Sequence, residues 1–201
     1  MPVTVFAYKI TRDFGFAPNP YGAACTLATC KPDIRRAGQI GDLIFGCGSV
    51  ETQQVGRIVF VMRVSGESSF SEFWDNPRFA DKRPFFGGSR RRAYGDNIYR
   101  RDAQGEWIQA RSHHSYPDGS TNLLNLHRDT REDRLLWGDE FAYWGASAIP
   151  LPDALADPQD NLALHRVRNT KRNFSPHFVA AAEAWFAQIP QGRHGRPGGW
   201  K

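Results

Sequence analysis

The residues whose types could do chemistry fall into three groups. Cys30, Lys31 and Arg35 stand together just after an extended stretch. Arginine offers a planar fork to a phosphate and lysine a compact point charge, so this cluster could hold a phosphate group. Cys30 would become a nucleophile if a neighbouring base lowered its pKa; the competing reading is a packed cysteine beside two surface cations. His113, His114, Asp118 and Asp129 form the second group, able to supply a general base or ligands. Their spacing fits no zinc pattern, H-E-x-x-H included, so no metal site is expected. Asp13 is the third, a carboxylate at a strand-to-loop exit, where it could act in chemistry or cap its own turn.

Several enzyme classes are disfavoured. The chain has no P-loop, no dinucleotide-binding fingerprint, no H-x-E with P-C-x-x-C deaminase signature and no G-x-S-x-G elbow. No cofactor is expected.

Charge points to a polyanion. The net charge is +5, and residues 82–101 hold Lys82, Arg83, Arg90, Arg91, Arg92, Arg100 and Arg101 against Asp96 alone. Such a field attracts phosphates and raises encounter rates with nucleic acid; a solvated basic loop is the plain alternative. Of the aromatic set Phe14, Phe16, Tyr21, Trp74, Tyr143 and Trp144, one or two are expected to line a pocket and the rest to be core.

These residues must be positioned by many short elements. The 201 residues, 40% hydrophobic and 13% aromatic with 19 glycines and 13 prolines, suit one domain of strands and structured loops. Residues 3–10 and 57–64 read as buried strands, the latter pairing antiparallel with 43–46. Ser69 and Glu72 have capping-box spacing ahead of a short helix that should end before Pro77. Residues 97–100 and 107–111 flank a turn at 102–105 and read as a hairpin. Residues 113–125 read as polar turns, 134–137 and 146–149 as strands, and 141–145 as an aromatic link between them. Ser175-Pro176 starts a helix with Phe178, Ala182, Trp185, Phe186 and Ile189 on one face, and residues 191–201 read as a flexible tail. Cys25, Cys30 and Cys47 make no C-x-x-C pair, which argues against a disulfide framework. No leader pattern or apolar run of membrane-spanning length is seen, so a cytoplasmic protein with no membrane partner is expected.

The motifs Asp13-Phe14-Gly15-Phe16-Ala17-Pro18-Asn19-Pro20, Thr26 to Arg35, Gly41-Asp42, Gly95 to Tyr99, His113 and Phe141 to Gly145 resemble the bacterial and phage nucleotide modification associated domain 2 family over roughly residues 3–152. The resemblance implies association with enzymes that modify DNA bases. Gly41-Asp42 followed by two strands is also similar to PUA-like barrels such as EVE and ASCH. The expected fold is therefore α+β, mainly β: a small open PUA-like β-barrel with short peripheral helices and a C-terminal helix. The expected organisation is a domain over 1–152, with 153–201 an extension whose helix packs on it.

Three functions stay open: a protein binding a nucleotide or modified base, an enzyme of a base-modification pathway, and a protein-interaction subunit of such a system. The residues assigned to chemistry are Asp13, Cys30 and His113. Phe16, Asn19, Lys31, Arg35, Asn97 and Tyr143 are assigned to ligand, and Arg90, Arg91, Arg92 and Arg100 to nucleic acid. The expected partners are a nucleotide or modified base, DNA, and other components of a modification or defence system.

Replacing Arg90, Arg91 and Arg92 together by alanine should weaken nucleic-acid binding and leave the melting temperature nearly unchanged. Each lost phosphate contact removes about 0.9 from the log-log salt slope on duplex DNA, so the slope should flatten by up to about 2.7. Fluorescence anisotropy across a salt series checks this.

Overall fold

The computed structural model describes residues 2–156 and 170–200; part of the expected 153–201 extension lies outside the described residues. In chain order the elements are β1 (Val5–Ile10), β2 (Cys25–Leu27), α1 (Pro32–Ala37), β3 (Leu43–Gly48), β4 (Arg57–Arg63), β5 (Gly66–Ser68), α2 (Phe70–Asp75) and α3 (Arg90–Ala93). There follow β6 (Tyr99–Arg101), β7 (Trp107–Gln109), α4 (Leu123–Thr130), β8 (Leu135–Gly138), β9 (Phe141–Tyr143), β10 (Ile149–Pro150), α5 (Pro176–Gln188) and β11 (Gly192–Arg193). The chain divides into two compact units.

The first unit comprises Met1–Phe14, Gly38–Ser65 and Gly138–Lys201. Its sheet runs β1-β3-β4-β9-β11, with β10 also on β4. β1 lies parallel to β3 and β4 antiparallel to it. The central strands are apolar at successive positions because both faces are buried. One face carries Val5, Leu43, Phe45, Val61 and Ala142 against Phe178, Ala182 and Phe186 of α5. That helix starts where expected: the Ser175 hydroxyl accepts from Phe178 N, and Pro176 fills a position needing no N–H.

Three expectations are corrected here. Phe141–Tyr143 is a strand paired with β4, not a link. Residues 146–149 are a 3₁₀ turn running into the two-residue β10. The terminal segment is held, not flexible: β11 pairs with β9, Gly198 N donates to Asp13 Oδ2, Gly199 N to the Asp13 carbonyl, and Trp200 Nε1 to the Phe14 carbonyl.

The second unit comprises Gly15–Ala37 and Gly66–Trp137. It contains the sheet β2-β8-β5 and the expected hairpin, β6-β7, with Tyr99 opposite Gln109 and Arg101 opposite Trp107. The capping box at Ser69 and Glu72 forms reciprocally, and α2 ends before Pro77. α4 falls within and beyond the segment read as polar turns. Its apolar residues are few, and its start depends on Asn122, whose side chain accepts from Asn125 N.

The protein is thus mixed α+β, with helix and strand in about equal measure where β was expected to dominate. Many strands are only two or three residues long. Among the described residues the sheets are open and none closes into a barrel. No described helix is long and apolar enough to cross a membrane.

Gly46 lies mid-strand in β3, where an added Cβ would sit 2.2 Å from the buried Phe60 ring and 2.6 Å from Ile10. Gly46→Ala should therefore destabilise by about 1 to 3 kcal/mol, the usual effect of overpacking. A lower urea midpoint with an unchanged m-value checks it.

Candidate active site

The site lies wholly in the second unit and starts from Arg35. This residue faces inward from α1 and is fully buried, which is costly for a guanidinium unless its donors are matched. Nε donates to the Cys30 carbonyl (2.9 Å), Nη1 to the carbonyls of Glu132 (2.7 Å) and Arg134, and Nη2 to that of Asp129 (2.5 Å). Its carbon lies 5.3 Å from the Phe70 ring centre. Burial pushes its pKa down to about 10, against the pull of Asp129 and other acidic neighbours, so it remains a cation at neutral pH. The guanidinium expected to grip a phosphate is instead a clamp holding Cys30, the end of α4 and the chain entering β8.

Clamped this way, Cys30 and Lys31 adopt φ of +58° and +41°. Left-handed geometry costs a non-glycine residue roughly 1 to 2 kcal/mol and persists only where surroundings enforce it. The half-buried Cys30 places Sγ 3.9 Å from His114 Nε2, and His114 Nδ1 lies 2.7 Å from Asp129 Oδ2. The His114 carbonyl accepts from Asn125 Nδ2 (2.9 Å) and Gln109 Nε2 (3.3 Å), and Phe16 packs edge-on to the imidazole at 4.6 Å.

Asp129, 0% exposed, organises the set. Oδ1 accepts from Cys30 N and Arg128 Nε, each at 3.0 Å; Oδ2 accepts from Tyr99 Oη at 3.0 Å and faces His114 Nδ1. Burial would raise the Asp129 pKa, but His114 and Arg128 outweigh it and the net direction is down. Burial, followed by the Asp129 charge, raises the Tyr99 phenol, which therefore stays a neutral donor. For His114 burial acts to lower the pKa, but the bonds to Asp129 and Cys30 and their charges prevail, raising it to about 9.

A carboxylate with its proton-bearing neighbour on Nδ1 leaves Nε2 as the nitrogen that exchanges a proton with Sγ. The ligand atoms of Cys30, His114 and Asp129 also lie within 4.8 Å of one another, close enough for one cation. The carboxylate disfavours that use. It offers about four lone-pair sites, and four neighbours already occupy them.

The other expected residues are placed as follows. His113, preferred over its neighbour in the sequence reading, is exposed, its ring against Phe16 (5.4 Å) and Tyr94 (5.1 Å). Lys31 is half-buried beside the thiol; burial lowers its pKa against the charges of Cys30 and Asp33. Asn19 donates to the Tyr94 carbonyl and accepts from Tyr21 N and Lys82 Nζ. Buried Asn97 donates to the Phe73 and Phe79 carbonyls. Asp13 belongs to the first unit, where its carboxylate accepts from Tyr143 Oη (2.6 Å) and Gly198 N (3.0 Å), so Asp13 and Tyr143 serve each other there. Arg90, Arg91 and Arg92 lie on α3, and Arg100 stacks over Trp74 at 4.3 Å. Tyr99, Gln109 and Arg128 were missed, because a buried tyrosine or glutamine behind a site has no sequence signature.

The second unit thus brings a thiol, an imidazole and a buried carboxylate into line on an α+β scaffold. The chain belongs to the Nucleotide modification associated domain 2 family, whose match spans residues 2–201, beyond the 3–152 expected from motifs. No curated protein and no solved structure matches it.

Asp129→Asn should return the His114 titration from about 9 toward the ordinary 6.5. The sign also fixes a stability effect. A raised histidine pKa stabilises the fold fully below about 6.5, and that contribution is lost as pH rises through 9. The variant should therefore show less loss of stability over that window. Imidazole NMR titration with parallel denaturation checks both; an unmoved titration would remove Asp129 as the orienting group.

Proposed function

We propose that the protein is a thiol-dependent enzyme of a DNA base-modification pathway, acting in the cytoplasm on a nucleotide or modified base. Cys30 is the nucleophile, His114 the acid and base, and Asp129 the group that orients the imidazole. The observation carrying this reading is the Sγ–Nε2 approach of 3.9 Å with Nδ1 held at 2.7 Å from a buried carboxylate. A module that only bound its ligand would have no need of the relay or of the left-handed backbone at Cys30. Family membership supports the nucleotide connection.

The chemistry suited to this set is transfer at an electrophilic carbon, such as an acyl carbon on a nucleotide substituent. With the proton already on Nε2, as a His114 pKa raised to about 9 requires at neutral pH, the Cys30 thiolate forms an S–C bond as the carbonyl π pair moves to oxygen. When that pair returns, the bond to the leaving group breaks, and the leaving group takes its bonding pair and the proton from Nε2. Water or an acceptor amine then attacks the thioester and gives a proton to Nε2, and Sγ departs as the thiolate, restoring the ion pair. In this reading Lys31, half-buried beside the thiol, pairs with a substrate phosphate, and Phe16, edge-on to the imidazole, forms a wall. His113 and Asp13 take no part in these steps. The reading needs no PUA-like barrel, and other components of a modification or defence system would supply or consume the modified nucleotide.

Iodoacetamide labelling followed by mass spectrometry tests the nucleophile. Cys30 should alkylate faster than Cys25 and Cys47, whose thiols burial pushes up, that of Cys25 to about 12. His114→Ala should slow the Cys30 reaction, and Cys30→Ser should remove the labelled peptide. A Cys30 rate unchanged by His114→Ala would sink the proposal.

A further inference from the structure

The second unit displays two neighbouring phenylalanines in water. Phe85 is 54% and Phe86 49% exposed, an unusual pairing in the most basic stretch of the chain. Their placement is built. The Phe85 ring lies against Gly87 and Gly88, where an added Cβ would come within 2.9 and 3.2 Å of it, and Phe85 N donates to the Arg92 carbonyl at 2.9 Å, fastening the loop to α3. Cations interleave with the rings: Arg92 lies 5.9 Å from the Phe85 centre, Arg111 4.8 Å from Phe86 and Arg91 5.5 Å from Tyr21. From Tyr94, which follows α3, ring contacts step to His113 (5.1 Å), Phe16 (5.4 Å) and His114 (4.6 Å).

We propose that this surface binds a single-stranded nucleic-acid segment, with bases stacked on Phe85 and Phe86 and phosphates at Arg91 and Arg111, and that it leads an unpaired nucleotide toward Cys30. The direction of travel rests on the thiol reading above; the strand surface does not. Flat rings with guanidinium groups between them match a strand whose bases and phosphates are both available. A duplex keeps its bases stacked inside and offers phosphates to the arginines alone, leaving the exposed rings without a partner. An acidic peptide would likewise satisfy the charges and not the rings.

Fluorescence anisotropy with a labelled twenty-nucleotide oligothymidine and with a duplex of equal length decides between these. The single strand should bind more tightly. Phe85→Ala and Phe86→Ala should each weaken it about 5- to 160-fold, the range expected for one stacked base, while duplex affinity changes less than about 2-fold. Phe86→Trp should retain binding, and Arg111→Ala should flatten the single-strand salt slope by about 0.7. Equal losses on both nucleic acids, or none in the ring variants with the fold verified by circular dichroism, overturn the proposal. Cys30 alkylation in the ring variants should keep the wild-type rate. Ordinary thiol reactivity of Cys30 beside ring-dependent strand binding would retire the thiol chemistry and leave the strand surface standing.

Discussion

The buried carboxylate of Asp129 is the constraint on which the site depends. A charge taken out of water is tolerable only when its lone pairs are matched, and here backbone, guanidinium, phenol and imidazole all converge on it. Because one of those neighbours is the Cys30 amide, the group that orients His114 also fixes the residue His114 faces. The spacing between sulfur and nitrogen is thereby set by a single side chain. Arg35 completes the frame from behind, binding the carbonyls of both Cys30 and Asp129, so these two residues are tied through backbone as well as side chain.

A second buried network places the basic surface. Lys82, 2% exposed, donates to the Asn19 carbonyl and Oδ1, and Asn19 in turn donates to the Tyr94 carbonyl. Asp96 accepts from the Thr26 hydroxyl at 2.5 Å; burial raises its pKa to about 6 against the opposing charge of Lys82, whose own pKa burial lowers. These contacts tie residues 19–26 to the chain on either side of α3, and Tyr94 is the residue whose ring begins the run toward His114. One polar cluster inside the unit thus sets the relation of the arginines to the thiol.

The first unit uses the same economy differently. Asp13 closes the terminal segment with its side chain and carbonyl together, and β11 adds a parallel strand to the sheet. A tail rich in glycine suits this path because Gly195 passes so near the Trp144 carbonyl that a Cβ would lie 1.9 Å from it. The composition that reads as flexible is what close backbone passage requires.

Local signals were legible in the sequence by itself. Reciprocal capping at Ser69 and Glu72, the Ser175-Pro176 helix start and the 102–105 hairpin turn each depend on residues within a few positions of one another, and each formed; the β3-β4 pair joins strands that follow one another in the chain. Cys30 was also legible as a candidate, since thiols with chemical potential are few. Tertiary structure alone decided its partners. Asp129 lies 99 residues further along the chain, and the choice between His113 and His114 turns on which of two adjacent rings faces inward, which sequence spacing does not encode. Arg35 reads in the sequence as a phosphate ligand, and the structure shows its guanidinium buried among four carbonyls; Asp13 reads as a catalytic candidate, and its carboxylate accepts from Tyr143 and Gly198. Charge and reactivity belong to residue types and can be read from a sequence, but burial and hydrogen-bond partners come from distant chain segments brought together, and those determine whether a charged group meets a substrate or holds the fold.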